Sequence, residues 1–167
     1  MVRNKTVIRM PNSLNDKLLS LGYTPELSLA NRKTFSLKEN KALYRMVLSR
    51  ESPVSVFCVD GVIIQSGLRC DKLILVDLSN QVHSWVVLFL ELKGTAILHA
   101  IEQLRSTISN ALFRHPSNKR IYARVVGCSF PSNQSNPSVE KAKIDFWKHY
   151  NCELKMLKSN QPDNLTI

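Results

Sequence analysis

The chain is 167 residues long, 44% hydrophobic and 22% charged, with a formal net charge of +10, which fits one globular domain able to bury a core without staples. Its longest apolar run, Trp85 to Leu90, is far short of the roughly 20 residues that cross a bilayer, and Met1–Val2–Arg3–Asn4–Lys5 opens no apolar signal segment, so a cytoplasmic protein without membrane attachment is expected. Four scattered cysteines, Cys58, Cys70, Cys128 and Cys152, show no C-x-x-C pair and no histidine at finger spacing, which argues against a zinc finger or disulfide framework.

The positive charge is uneven. Residues 1–50 carry ten Lys and Arg against Asp16, Glu26 and Glu39, and the other 117 residues carry thirteen against ten. Such a chain attracts polyanions, of which nucleic acid is the commonest; the alternative is a basic surface that meets only water. Residues 1–35 read as a basic N-terminal arm: a short strand at Val7–Met10, a short helix from Ser13 to Leu21 ended by Gly22, then connecting loop. Ser36–Leu37–Lys38–Glu39 has the form of a capping box. It predicts a helix to about Ser49, with Leu43, Met46 and Val47 as its apolar stripe. This helix opens a core domain over residues 36–158.

Pro53 stops any helix, and Val54–Val59 and Val62–Ile64 flank Asp60–Gly61, a strong hairpin turn. Two β-rich runs follow, Cys70–Asp77 and Trp85–Gly94, joined by a polar turn short enough for an antiparallel hairpin. A register centred near Gln81 sets Asp71 opposite Glu91. Alternation puts Glu91 and Lys93 on one face, Leu90 and Leu92 on the other. Three charges then converge at one end of an oily hairpin, where a sheet gains nothing from them unless they bind something.

Gly94 or Thr95 starts a helix to about Phe113, with an apolar stripe of Ile97, Ala100, Ile101, Leu104 and Ile108. His99, Gln103 and Thr107 form an adjacent polar stripe, either a solvent flank or a functional edge. A basic loop, Arg114–Arg120, leads into a strand from Ile121 to Cys128. The Pro/Ser/Asn-rich segment Ser129–Ser138 reads as surface loop, and Ser138 caps a helix to Tyr150. Cys152–Lys158 alternates as an edge strand, which with the aromatic residues Phe146, Trp147 and Tyr150 forms the expected contact surface for assembly. Residues 159–167 read as a disordered tail.

An Asp at a strand start, an E-x-K at the end of the paired strand and a Gln on the following helix are here Asp71, Glu91–Leu92–Lys93 and Gln103. This ordered set, in a frame from about Ser36 to Cys128, resembles the PD-(D/E)XK nuclease superfamily of many restriction enzymes and archaeal Holliday-junction resolvases. Cys70 stands where the first motif has its Pro, a position that varies in the superfamily. The resemblance implies an α/β fold (an α+β sandwich) with a restriction-endonuclease-like αβββαβ core, its central mixed sheet flanked by helices. It also implies a divalent-metal-dependent endonuclease using Mg2+ or Mn2+, acting on DNA before RNA, as a homodimer or a subunit of a larger complex. Its catalytic residues would be Asp71, Glu91, Lys93 and Gln103. Its metal ligands would be Asp71, Glu91, the Leu92 carbonyl and, from the first helix, Glu39, which the capping box explains equally well. Arg69, Lys72, Arg114, Lys119 and Arg120 are the expected nucleic-acid contacts.

The residue types suit that chemistry. Paired carboxylates hold a hard divalent cation, which polarises a phosphate and acidifies a bound water. A lysine beside cations has a lowered pKa and can position or deprotonate the attacking water, and a Gln amide can orient a water or carboxylate. Three alternatives stand beside this one. Asp71, Glu91 and Lys93 can form a structural salt bridge, the fold can be a binding module without catalysis, or the chain can be a non-catalytic subunit.

Overall fold

A computed structural model describes residues 11–78, 83–92, 96–128 and 136–167 of the chain. Helix α1, Leu14–Ser20, starts where the sequence places it: the Ser13 hydroxyl accepts the Asp16 amide, and Gly22 takes a φ of 90° in the reversal that follows. Leu14 and Leu18 are buried in the main core, and Asn15 accepts the Ser55 hydroxyl at 2.7 Å. From residue 11 onward, the segment expected to be an arm is therefore part of the domain; the expected strand at Val7–Met10 lies outside the described residues.

Strands β1, Leu27–Glu39, and β2, Ala42–Cys58, form a long antiparallel hairpin that turns at Asn40 with φ 53°. The helix expected from Ser36 to Ser49 is not made. Ala42, Tyr44, Met46 and Leu48 are all buried, while Arg45 and Ser49 are exposed. This period of two buries Tyr44 and Met46 together, which the helical stripe of Leu43, Met46 and Val47 cannot do, and packing overrides the capping box. Between Arg32↔Ser52 and Thr34↔Val47 the register slips, so residues 48–51 of β2 stand against Lys33 alone and β2 is re-aimed. Its second half, Val54 to Cys58, pairs with β3, Lys72–Asp77. The Asp60–Gly61 turn joins no second strand, because the Val59 carbonyl accepts the amides of both Ile63 and Ile64.

β3 pairs antiparallel with β4, Trp85–Leu92, from Lys72↔Leu90 to Asp77↔Trp85. Helix α2, Ile97–Ser109, leads through a 3-10 turn at Ala111–Phe113 to β5, Asn118–Gly127, parallel to β4. Helix α3, Pro137–Tyr150, is capped by Asn136 rather than Ser138, and ends on Asn151 in the left-handed region. β6, Cys152–Lys158, pairs parallel with β5 and is the edge of the sheet, as expected. β7, Pro162–Leu165, pairs parallel with β2. The described residues thus form an α/β fold with one mixed sheet of seven strands and three helices, and none of those helices is long and apolar enough to cross a membrane.

The two faces of the sheet are covered differently. Residues of α1, α2 and α3 pack on Phe57, Leu73, Leu75, Val87 and Phe89. The opposite face, with Ile74, Val76, Leu88 and Leu90, is covered by Tyr44, Met46, Leu48 and Leu165 from the β1–β2 hairpin and β7. A β layer stands where the Ser36–Ser49 helix was expected, and the three described helices flank the mixed sheet on the other face.

The segment 159–167, expected to be a disordered tail, is fixed by a buried charge. Asp163 on β7 accepts from the Tyr44 hydroxyl at 2.8 Å and from Arg124 Nε at 2.9 Å, with Asp163 and Arg124 each 1% exposed. Arg124 also donates to the Glu153 carbonyl and carboxylate. Asp163→Ala leaves a buried guanidinium short of its partner and should lower unfolding stability by about 3–5 kcal/mol, read as a lower urea midpoint. Burial and the Asp163 charge push the Tyr44 phenol well above its ordinary range. Above a pH of about 10, unfolded chains ionise and folded ones do not, so stability falls as pH rises. Tyr44→Phe should flatten that alkaline slope in pH-dependent denaturation.

Candidate functional site

The site begins where β3 starts and β4 ends. One residue beyond Lys72↔Leu90 the ladder changes: the Asp71 amide donates to the Leu90 carbonyl at 3.1 Å, and the Asp71 carboxylate accepts the Leu92 amide at 2.7 Å. Asp71 thus sits beside the Leu90–Leu92 segment, at the level of Glu91, as the sequence register predicts. Glu91 is fully buried and Asp71 is 9% exposed. Cross-strand neighbours stand about 5 Å apart at Cβ, a span that one cation with ligand distances of about 2.0–2.6 Å can bridge. Two carboxylates in so dry a place are costly unless their charge is answered. The adjacent Cys70 thiol registers both, since burial pushes it well above its usual range and the Glu91 and Asp71 charges push the same way.

Helix α2 holds this end of β3 in place. The Thr107 hydroxyl accepts the Cys70 amide at 2.8 Å and donates to the Gln103 carbonyl, and Gln103 Nε2 donates to the Arg69 carbonyl at 3.0 Å. The polar stripe of α2 is therefore partly a docking edge: Thr107 is fully buried and Gln103 half-buried, while His99 is exposed. Thr107 is a positioning residue: the sequence placed it in the polar stripe with His99 and Gln103, but not among the expected site residues. The Gln103 Oε1 is buried and has no hydrogen-bond partner among the described residues.

The other expected site residues divide. Lys93 lies outside the described residues. Glu39 closes the β1–β2 hairpin against Ala42 and joins the charges around Lys72. Among the described residues no three of His, Cys, Asp and Glu gather as a metal-holding group, so Glu39 is not brought to Asp71 and Glu91. Lys72 turns away from Asp71, with Nζ 2.8 Å from the Glu26 carboxylate and 3.8 Å from Cys58 Sγ. Burial alone would lower the Lys72 pKa, but its hydrogen bond to Glu26 and the charges of Cys58, Glu26 and Glu39 win and raise it. Lys72 is thus a buried, committed cation, not an open phosphate contact. Arg69, two residues before Asp71, pairs with Asp60 and donates to the Gly67 carbonyl. Arg114, Lys119 and Arg120 are exposed but belong to the other end of the sheet. Glu91 is level with Val125 on β5, six residues from Lys119, a separation of about 20 Å along a strand.

The groups at this end of the sheet that could hold an ion are oxygens: the Asp71 and Glu91 carboxylates and the Leu92 carbonyl at the end of β4, with Gln103 anchored nearby on the Arg69 carbonyl. Such a set fits a hard divalent cation with waters completing its shell. Asp71 also carries structure: Asp71→Ala removes the acceptor of the Leu92 amide and should cost about 1–3 kcal/mol. Asp71→Asn, which keeps an acceptor oxygen, should cost less in the same denaturation series. No model of a known protein family, no curated protein and no solved structure matches this chain.

Proposed function

We propose that the chain is a divalent-metal-dependent nuclease of the PD-(D/E)XK kind, hydrolysing phosphodiester bonds in nucleic acid, DNA before RNA. The observation that carries this reading is the meeting of buried Asp71 and Glu91 at the shared end of β3 and β4. Three further features support it. The antiparallel meander β2–β3–β4 is followed by α2 and by β5 parallel to β4, the βββαβ part of the expected order, although β1 stands between α1 and this meander. Gln103 reaches the segment that carries Asp71 and leads into β3. The chain has a net charge of +10, which favours a polyanionic substrate.

In this reading Asp71 and Glu91 hold Mg2+ or Mn2+ with the Leu92 carbonyl as a further oxygen donor. A bound ion supplies Lewis-acid polarisation of the phosphate and an acidified water. Gln103 Oε1, buried and without a partner among the described residues, would be available to orient a water bound to that ion. Thr107 and the Gln103 amide keep the Arg69–Asp71 segment fixed, so the carboxylates do not reorganise as charge develops. Lys93, two residues after Glu91, positions the attacking water and offsets phosphate charge. The edge strand β6 supports association as a homodimer or with a larger partner.

Two observations favour a second reading. The exposed cations of the basic loop lie about 20 Å from the carboxylates, and no third acidic or imidazole ligand joins them among the described residues. A nucleic-acid-binding module or non-catalytic subunit on the same fold would have these properties.

Cleavage assays with manganese or magnesium over duplex, junction, single-stranded and RNA substrates separate the two. Glu91→Ala should abolish cleavage, because one fixed carboxylate cannot replace two. Lys93→Ala should keep metal affinity by calorimetry and lose the chemical step by 10²-fold or more. Equal cutting by wild type and Glu91→Ala would place the activity elsewhere, and no cutting by wild type on any substrate would leave the binding-module reading.

A further inference from the structure

The end of the sheet opposite the carboxylates has a concavity of its own. A cleft of about 200 Å³ is lined by Lys119, Arg120, Tyr122, Trp147, Asn151 and Glu153, where β5 and β6 begin and α3 ends. Trp147 is 61% exposed, more than any other large hydrophobic residue described, although Phe146 beside it is fully buried. An indole at a cleft mouth is a poor residue for a solvated position and a good stacking surface.

The charges around it are arranged for an anion. Among the described residues neither Lys119 nor Arg120 forms an ion pair. Arg120 donates from Nη1 to the Thr166 carbonyl at 2.7 Å, which fixes the side chain and leaves the rest of its fork to a ligand. Glu153, the acid on the wall, is held by Arg124 Nη2 at 3.0 Å, and it shares that cation with Asp163. The cleft therefore offers two cations outside any described ion pair, against one acid that is turned to Arg124, beside an aromatic face.

We propose that this cleft binds an unpaired stretch of nucleic acid, with a base stacked on Trp147 and the flanking phosphates on Lys119 and Arg120. The pairing of cations with an exposed ring is what selects this ligand. A bare polyanion has no use for the indole, and a duplex covers the base faces that stack, whereas a single strand offers both groups together. The site needs neither Asp71 nor Glu91, about 20 Å away along the strands. It shares with the cleavage reading only the class of partner.

Intrinsic fluorescence tests it directly, because Trp85 is 7% exposed and Trp147 is the exposed tryptophan. In low salt without divalent metal, oligo(dT) should quench the wild-type emission, while a duplex of equal length and inorganic polyphosphate should leave it nearly unchanged. By anisotropy of a labelled oligo(dT), Trp147→Ala should weaken binding about tenfold or more, and Trp147→Phe should retain most of the affinity. The double variant Lys119→Gln, Arg120→Gln should reduce the log–log salt slope by about 1.4, at ~0.7 per single-strand phosphate. Quenching by polyphosphate equal to that by oligo(dT), or unchanged oligo(dT) affinity in Trp147→Ala, would overturn the proposal. Glu91→Ala should bind oligo(dT) as wild type does, so loss of cleavage and loss of this site are read separately.

Discussion

A guanidinium in the middle of a sheet is the constraint around which the second layer is arranged. Arg124 on β5 is almost wholly buried, and its donors go to Asp163, to the Glu153 carboxylate and to two backbone carbonyls. The ring of Tyr122 adds a cation–π contact, with its centroid 5.0 Å from the guanidinium carbon. A buried pair of this kind is weak as a source of stability, because desolvation offsets most of the attraction, but its geometry excludes alternatives. A slip of β7 by one residue would turn Asp163 away from Arg124 and bring an apolar neighbour or Asn164 to it. The charge thus specifies where β7 lies, and through Tyr44 where the β1–β2 hairpin lies.

That arrangement divides labour between the faces. The β layer closes one side of the sheet, so the three helices collect on the other, and α2 is free to bring Gln103 and Thr107 to the lead-in of β3. Asp71 and Glu91 are then held by elements packed from the helical side, while Lys72 and its partner Glu26 answer one another elsewhere. The two ends of the sheet differ as sharply as its faces. One end gathers oxygen donors in a dry setting, the other gathers exposed cations around an indole.

How much of this was legible depends on which signal was local. The β3–β4 register followed from two apolar runs and the turn between them, so the meeting of Asp71 and Glu91 was readable before any coordinates. The segment 36–49 was not. Its capping box and its Leu43, Met46 and Val47 spacing satisfy a helix, and its Ala42, Tyr44, Met46 and Leu48 satisfy a strand. Only the apolar face waiting at Ile74, Val76 and Leu88 decides between them. The C-terminal segment was misread for a related reason: Pro162–Leu165 is too short and polar to announce a strand, and the group that fixes it, Arg124, is 39 residues earlier. Lys119 and Arg120 were recognisable as basic, but a sequence does not say at which end of a parallel strand its loop will lie relative to a site on the neighbouring strand.

The contact between Tyr44 and Asp163 spans 119 residues, and this separation has a consequence for synthesis. Chains grow from the N-terminus, so a nascent polypeptide acquires β2, β3 and β4 long before it acquires β7. During that interval Tyr44 lacks the carboxylate that it donates to, and the apolar layer beneath it lacks its last strand. The energetic return for closing so large a loop arrives late. A growing chain therefore presents a half-finished apolar face until β7 is made.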